Sequence, residues 1–127
     1  MPMRPFRRLV VWRKAHSFTL DVYRTTRSFP REEMFGLVAQ LRRGSASIAA
    51  NLAEGCGRDS EREFATFVSL AAGSAWEVDY HLLLARNLDY VAPSTFVALQ
   101  SQVIELKKML ASLHAKITST SRLSARP

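Results

Sequence analysis

Apolar residues recur along this chain at intervals of three and four, in four separate stretches, and strand-like alternation appears nowhere. In the first stretch Val11, Ala15, Phe18, Val22, Thr26 and Phe29 share one face, with Trp12 and Thr19 on its flank. The spacing predicts a helix from Leu9 to Phe29, ended by Pro30, because the residue before a proline resists the helical conformation. A second helix is expected from Arg31 to Glu54, with Glu32 and Glu33 favourable at its positive end and Gly55 and Gly57 marking its close. The third opens on Ser60-Glu61-Arg62-Glu63, a capping box, and aligns Phe64, Phe67, Val68, Ala71, Ala75, Val78, Leu82 and Ala85. After a short connection from Asn87 to Ala92, Pro93 begins a fourth, whose stripe is Phe96, Leu99, Val103, Leu106, Leu110, Leu113 and Ile117. The fold expected is all-α, an up-down-up-down antiparallel four-helix bundle over residues 9–117. A basic N-terminal arm at 1–8 and a patternless, disordered tail at 118–127 flank it.

The second helix lacks an ordinary solvent face. Leu37, Leu41, Ser45, Ile48 and Leu52 form one stripe, and Ala39, Ala46, Ala50 and Ala53 form another. Between them Gln40, Arg43, Ser47, Asn51 and Glu54 stack as a polar line. That line is expected to form a hydrogen-bond network with Ser74, Glu77 or His81 of the third helix and so to fix register; a binding groove is the rival reading. Gly44, unfavourable inside a helix by roughly 1 kcal/mol relative to alanine, suggests close packing at that point. The third helix carries a second apolar patch opposite its core stripe. Ala46, Ala50, Ala53, Gly73, Trp76, Tyr80 and Leu83 are therefore the expected interface of a homo-oligomer.

A chain of 127 residues is long enough to bury one core, and its composition is that of an ordinary folded domain. The formal charge of +7 changes the picture through its distribution. Residues 1–31 hold eight basic residues against the single acid Asp21, so the whole excess lies in the arm and first helix. Arginine dominates the excess and forms bidentate phosphate contacts, which points to RNA or DNA backbone as partner. Arg13, Arg24 and Arg27 are the expected helical contacts, Arg4, Arg7 and Arg8 follow from the arm, and Arg42, Arg43 and Arg58 are second-tier candidates. Few aromatic residues interleave with these arginines, which argues against base stacking on single strands.

Candidate chemistry is sparse. His16, His81 and His114 are isolated, and no Glu-x-x-His motif of the kind a di-metal bundle needs is present. Cys56 has no histidine partner nearby in sequence, and no nucleophile-elbow, P-loop or dinucleotide-binding motif occurs. No catalytic residue, metal or cofactor is expected. The single cysteine excludes an internal disulfide framework and fits a reducing cytoplasm. The apolar run Leu9–Trp12 is too short for a signal peptide, and no run approaches the roughly 20 residues of a membrane span.

Several motifs together carry a family resemblance: VWRKA at Val11–Ala15, FP at Phe29–Pro30, FGL at Phe35–Leu37, QLRR at Gln40–Arg43, SIAANLAEG at Ser47–Gly55, GR at Gly57–Arg58 and GSAWE at Gly73–Glu77. Over residues 8–117 the chain resembles the four-helix-bundle proteins of the 23S ribosomal RNA intervening-sequence family. The resemblance implies a small cytosolic bundle that assembles into homopentameric rings, in a family whose biochemical role is not established. It also implies a distant relation to the accessory variability proteins of diversity-generating retroelements, basic pentameric barrels that work with a reverse transcriptase and nucleic acid. Gly44 and Ala49 depart from the family pattern, which often has alanine and proline there, and Trp76 stands at a variable aliphatic position. The functional expectation is a non-enzymatic homo-oligomer that binds nucleic acid through its basic first helix and arm. The alternative is a scaffold whose oligomer recruits a protein partner.

Overall fold

The computed structural model describes residues 4–124. Four helices are present: α1 Val10–Thr26, α2 Leu37–Cys56, α3 Glu61–Asn87 and α4 Pro93–Ser124. Each packs against its two neighbours, α1 on α2 and α4, α3 on α2 and α4, which closes an antiparallel four-helix bundle. The expected stripes face inward. Val11, Ala15, Phe18 and Val22 of α1 meet Leu41, Ile48 and Leu52 of α2, Val68, Ala75 and Val78 of α3, and Val103, Leu106 and Leu110 of α4 in one buried cluster.

Two glycines set how closely α2 and α3 approach. A Cβ on Gly44 would stand 2.5 Å from Val78 Cγ2, and one on Gly55 would stand 2.8 Å from Phe67 Cβ. Gly55 is thus a buried packing position inside α2 rather than its cap. The helix closes at Gly57, whose N–H donates to the Glu54 carbonyl at 3.1 Å. Ser60 Oγ accepts the Glu63 N–H at 3.1 Å and starts α3 as the capping box requires.

The structure departs from the expected boundaries at four places, each for a local reason. The first helix ends at Thr26, short of the expected Phe29, where the Thr26 hydroxyl donates to the Val22 carbonyl at 2.8 Å and the Phe29 N–H closes a turn on the Thr26 carbonyl at 3.2 Å. The second helix does not begin at Arg31. Residues Arg31–Glu33 form a separate 3-10 turn, and Gly36 leaves the helical region at φ −106°, ψ −109°. The Glu33 carboxylate instead accepts the Leu37 N–H at 3.2 Å, which satisfies an otherwise orphaned donor at the start of α2. The described part of the expected arm, residues 4–8, is tied to the bundle. Phe6–Arg8 form another 3-10 turn, and the Arg4 N–H donates to the Cys56 carbonyl at 3.1 Å. The fourth helix continues beyond Ile117 to Ser124, into the stretch expected to be disordered. No glycine or proline interrupts it there, so the helix propagates past its apolar stripe by adding one backbone hydrogen bond per residue. Residues 1–3 of the expected arm and 125–127 of the expected tail lie outside the described residues. No described helix is long and apolar enough to cross a membrane.

Candidate nucleic-acid interface

The outer face of α1 is built by elimination. Once Val11, Ala15, Phe18 and Val22 turn inward, helical spacing places Arg13, Leu20, Arg24 and Arg27 on the opposite side, and all four are exposed. Arg13 Nη1 donates to the carbonyls of Arg7 and Arg8, both at 3.2 Å. That ties the 3-10 turn to the helix and gathers Arg7, Arg8 and Arg13 at one end, with Arg7 and Arg8 themselves exposed. Arg24, Arg27 and Arg31 lie toward the other end, all exposed. Asp21 tempers this second group: its Oδ1 accepts Arg24 Nη1 at 3.1 Å and its Oδ2 accepts Gln102 Nε2 from α4 at 3.1 Å.

Three of the expected contacts have structural work instead. Arg4 forms an ion pair with Glu61, and its guanidinium lies 4.5 Å above the Phe64 ring. Arg42 donates from Nε to Thr26 Oγ1 at 2.9 Å and lies 4.7 Å above Tyr23, joining α2 to α1. Arg58 pairs with Glu54 at 2.7 Å and covers Phe67 at 4.8 Å. Planar guanidinium on an aromatic face is a good packing element, and each of these three groups also carries an ion pair or hydrogen bond within the chain. Arg43 remains exposed on α2.

The expected polar network shrinks to three residues. Ser47 and Ser74 hydroxyls meet at 2.9 Å, and Asn51 Nδ2 donates to the Ser47 carbonyl and hydroxyl at 2.9 and 3.0 Å. Gln40, Arg43 and Glu77 are exposed, and Glu54 is held by Arg58. The expected oligomer interface likewise divides. Ala46 and Ala53 are half-buried on the edge of α2 that Arg42 binds to α1, and Ala50 is exposed. Gly73, Trp76, Tyr80 and Leu83 are exposed on α3, and Lys107 of α4 lies 3.5 Å above the Trp76 ring while pairing with Asp79. The aromatic patch therefore belongs with α4, not with the alanines.

Two titratable groups are displaced by their surroundings. Burial pushes the Cys56 thiol up, opposed in part by the Arg4 guanidinium. The hydrogen bond that Tyr90 Oη donates to Glu33 Oε2 at 3.0 Å holds the Tyr90 phenol above its ordinary value. Among the described residues, no three His, Cys, Asp or Glu side chains stand together in a way that could hold a metal ion.

The profile of the 23S rRNA-intervening sequence proteins matches residues 7–112, from the 3-10 turn through most of α4. The chain belongs to that family. Among solved structures, this family member is similar to a protein of unknown function from the S23 ribosomal protein family of Bacteroides thetaiotaomicron. The two are 24% identical with a TM-score of 0.75, over 83% of this chain and 98% of the other, a likeness of fold. No curated protein matches this family member.

Phe35 is the residue that sequence reasoning passed over. The sequence predicts it inside a continuous second helix, yet it is 94% exposed at the break before Gly36. The signal in the sequence is Gly36 itself, a helix breaker inside the predicted helix just after Phe35.

Proposed function

We propose that this chain is a non-enzymatic, homo-oligomeric bundle that holds nucleic acid by its phosphate backbone through the outer face of α1. The observation that supports the reading most is the exposure of Arg13, Arg24 and Arg27 together on that face, with Arg7 and Arg8 adjoining. Arg13 and Arg24 are separated by about 16 Å along the helix at 1.5 Å per residue, somewhat more than the ~12 Å width of a DNA major groove. The two arginine groups could then bridge phosphates on either side of a groove. Backbone contacts of this kind carry little sequence preference. A cytoplasmic site of action fits the one reduced thiol, and a ring of five copies is the assembly that the family resemblance implies.

Binding of purified, nuclease-treated protein to RNA and DNA duplexes and single strands across a salt series tests the reading. The wild-type protein should show a steep negative slope of log affinity against log salt. Replacing Arg13, Arg24 and Arg27 with alanine should flatten that slope by about 2.7 on B-DNA, at roughly 0.9 per lost contact. An unchanged slope removes these residues from the interface, and no binding at low salt removes the reading. A protein scaffold is the second reading, favoured by the exposed Trp76 and Tyr80 on α3, which are 66% and 60% exposed. Copurification of one defined protein, insensitive to nuclease, would favour it.

A further inference from the structure

The turn before α2 presents its two large apolar side chains outward in a fixed frame. The Met34 N–H donates to the Arg31 carbonyl at 3.1 Å and the Gly36 N–H to the Glu33 carbonyl at 3.1 Å. Glu33 caps Leu37 with one carboxylate oxygen and accepts the Tyr90 hydroxyl with the other, which fastens the turn to the α3–α4 connection. Met34 is 53% exposed and Phe35 94% exposed on this frame, and the exposed Glu32 stands beside them. With the backbone of the turn already fixed, docking has only the two side chains left to order, which favours their use as interface anchors.

The same chain carries a complementary surface at its opposite end. A groove of about 410 Å³ between the start of α1 and the later turns of α4 is floored by Leu9, Val10, Met109 and Leu113 and flanked by Lys108 and Lys116. A cavity of about 150 Å³ accommodates a benzene ring, so this groove has room for a phenyl group and a thioether together. Its own Phe35 cannot reach it, because the 17 residues of α1 separate the two ends by about 26 Å at 1.5 Å per residue.

We propose that Met34 and Phe35 of one copy dock into the Leu9–Val10–Met109–Leu113 groove of a second copy, with Glu32 facing Lys108 and Lys116. Polarity and charge sign match: apolar knob to apolar lining, the exposed Glu32 to Lys108 and Lys116. The contact is distinct from the Trp76 patch and from the arginine face of α1, and it stands whether or not the chain binds nucleic acid.

Sedimentation velocity over a concentration series at low salt tests the contact. Phe35→Ala, whose side chain supports nothing within the bundle, should weaken self-association on the order of tenfold or more. Lys108→Glu with Lys116→Glu should weaken it as well, and adding Glu32→Lys to that pair should restore part of it. A covalent trap reads the contact independently of any other interface. Phe35→Cys protein mixed with affinity-tagged Ser112→Cys protein should give a mixed disulfide dimer of its own mass under mild oxidation. No mixed dimer, together with an unchanged mass for Phe35→Ala, overturns the proposal. Loss of single-strand binding by Phe35→Ala with its association intact would also overturn it and would make Phe35 a base-stacking platform.

Discussion

Gly44 shows how much one missing methyl group decides at the α2–α3 contact. Its Cβ would lie 2.5 Å from Val78 Cγ2. Gly44→Ala gains about 1 kcal/mol of helix propensity, but overpacking a well-filled core typically costs about 1–3 kcal/mol. The clash should win, because Val78 is fully buried and β-branched, with one strongly preferred rotamer in a helix. We expect a lower Tm for Gly44→Ala, measured by thermal denaturation, and a recovery when Val78→Ala is added, with a loss for the pair smaller than the sum of the two single changes. The arginines teach a related lesson at this scale. Arg13, Arg24 and Arg27 could be placed from helical spacing alone, since their exposure follows from the core stripe of the same helix. The fate of Arg4, Arg42 and Arg58 could not, because each depends on an aromatic ring contributed by another element: Phe64, Tyr23 and Phe67.

At the level of elements, the stripes of α1, α3 and α4 were legible because one face of each is apolar at helical spacing, and α3 and α4 start at a capping serine and a proline. The break before α2 was not. It is set by the Glu33 side chain reaching its own chain at Leu37 and the Tyr90 hydroxyl 57 positions later, a pairing no local window contains. That pairing makes the α1–α2 and α3–α4 connections a unit whose strength depends on pH. The folded-state phenol titrates above its ordinary value, so its contribution is complete below about pH 10, the unfolded value. It is lost as pH rises through the folded value, when the ionised oxygen can no longer donate to the carboxylate. Wild-type protein should therefore lose stability faster than Tyr90→Phe above pH 10 in urea titrations, and parallel pH profiles for the two would remove this role. The arginine face of α1 also acts as an element: its effect on salt dependence comes from several exposed groups on one helix, not from any single pair.

Taken as a whole, the molecule has a closed core and an outer surface divided among distinct jobs. One side is basic, along α1; another is aromatic, where α3 meets α4; and the two ends carry a knob and a groove. The bundle was readable from periodicity, whereas the separation of the alanines from the aromatic patch required knowing which neighbour each edge of α2 and α3 faces. The docking of Arg4 onto Cys56 and Glu61 adds a link between the chain's first described residues and the α2–α3 turn. Its consequence is kinetic. The chain's one thiol, 1% exposed, cannot meet an alkylating reagent until that corner of the bundle opens, so labelling runs at the rate set by local unfolding. Arg4→Ala should label faster while the global denaturation midpoint moves little. Equal labelling rates would mean that the corner opens only when the whole chain does. Cys56 is in this sense a clock, which times how often the N-terminus lets go.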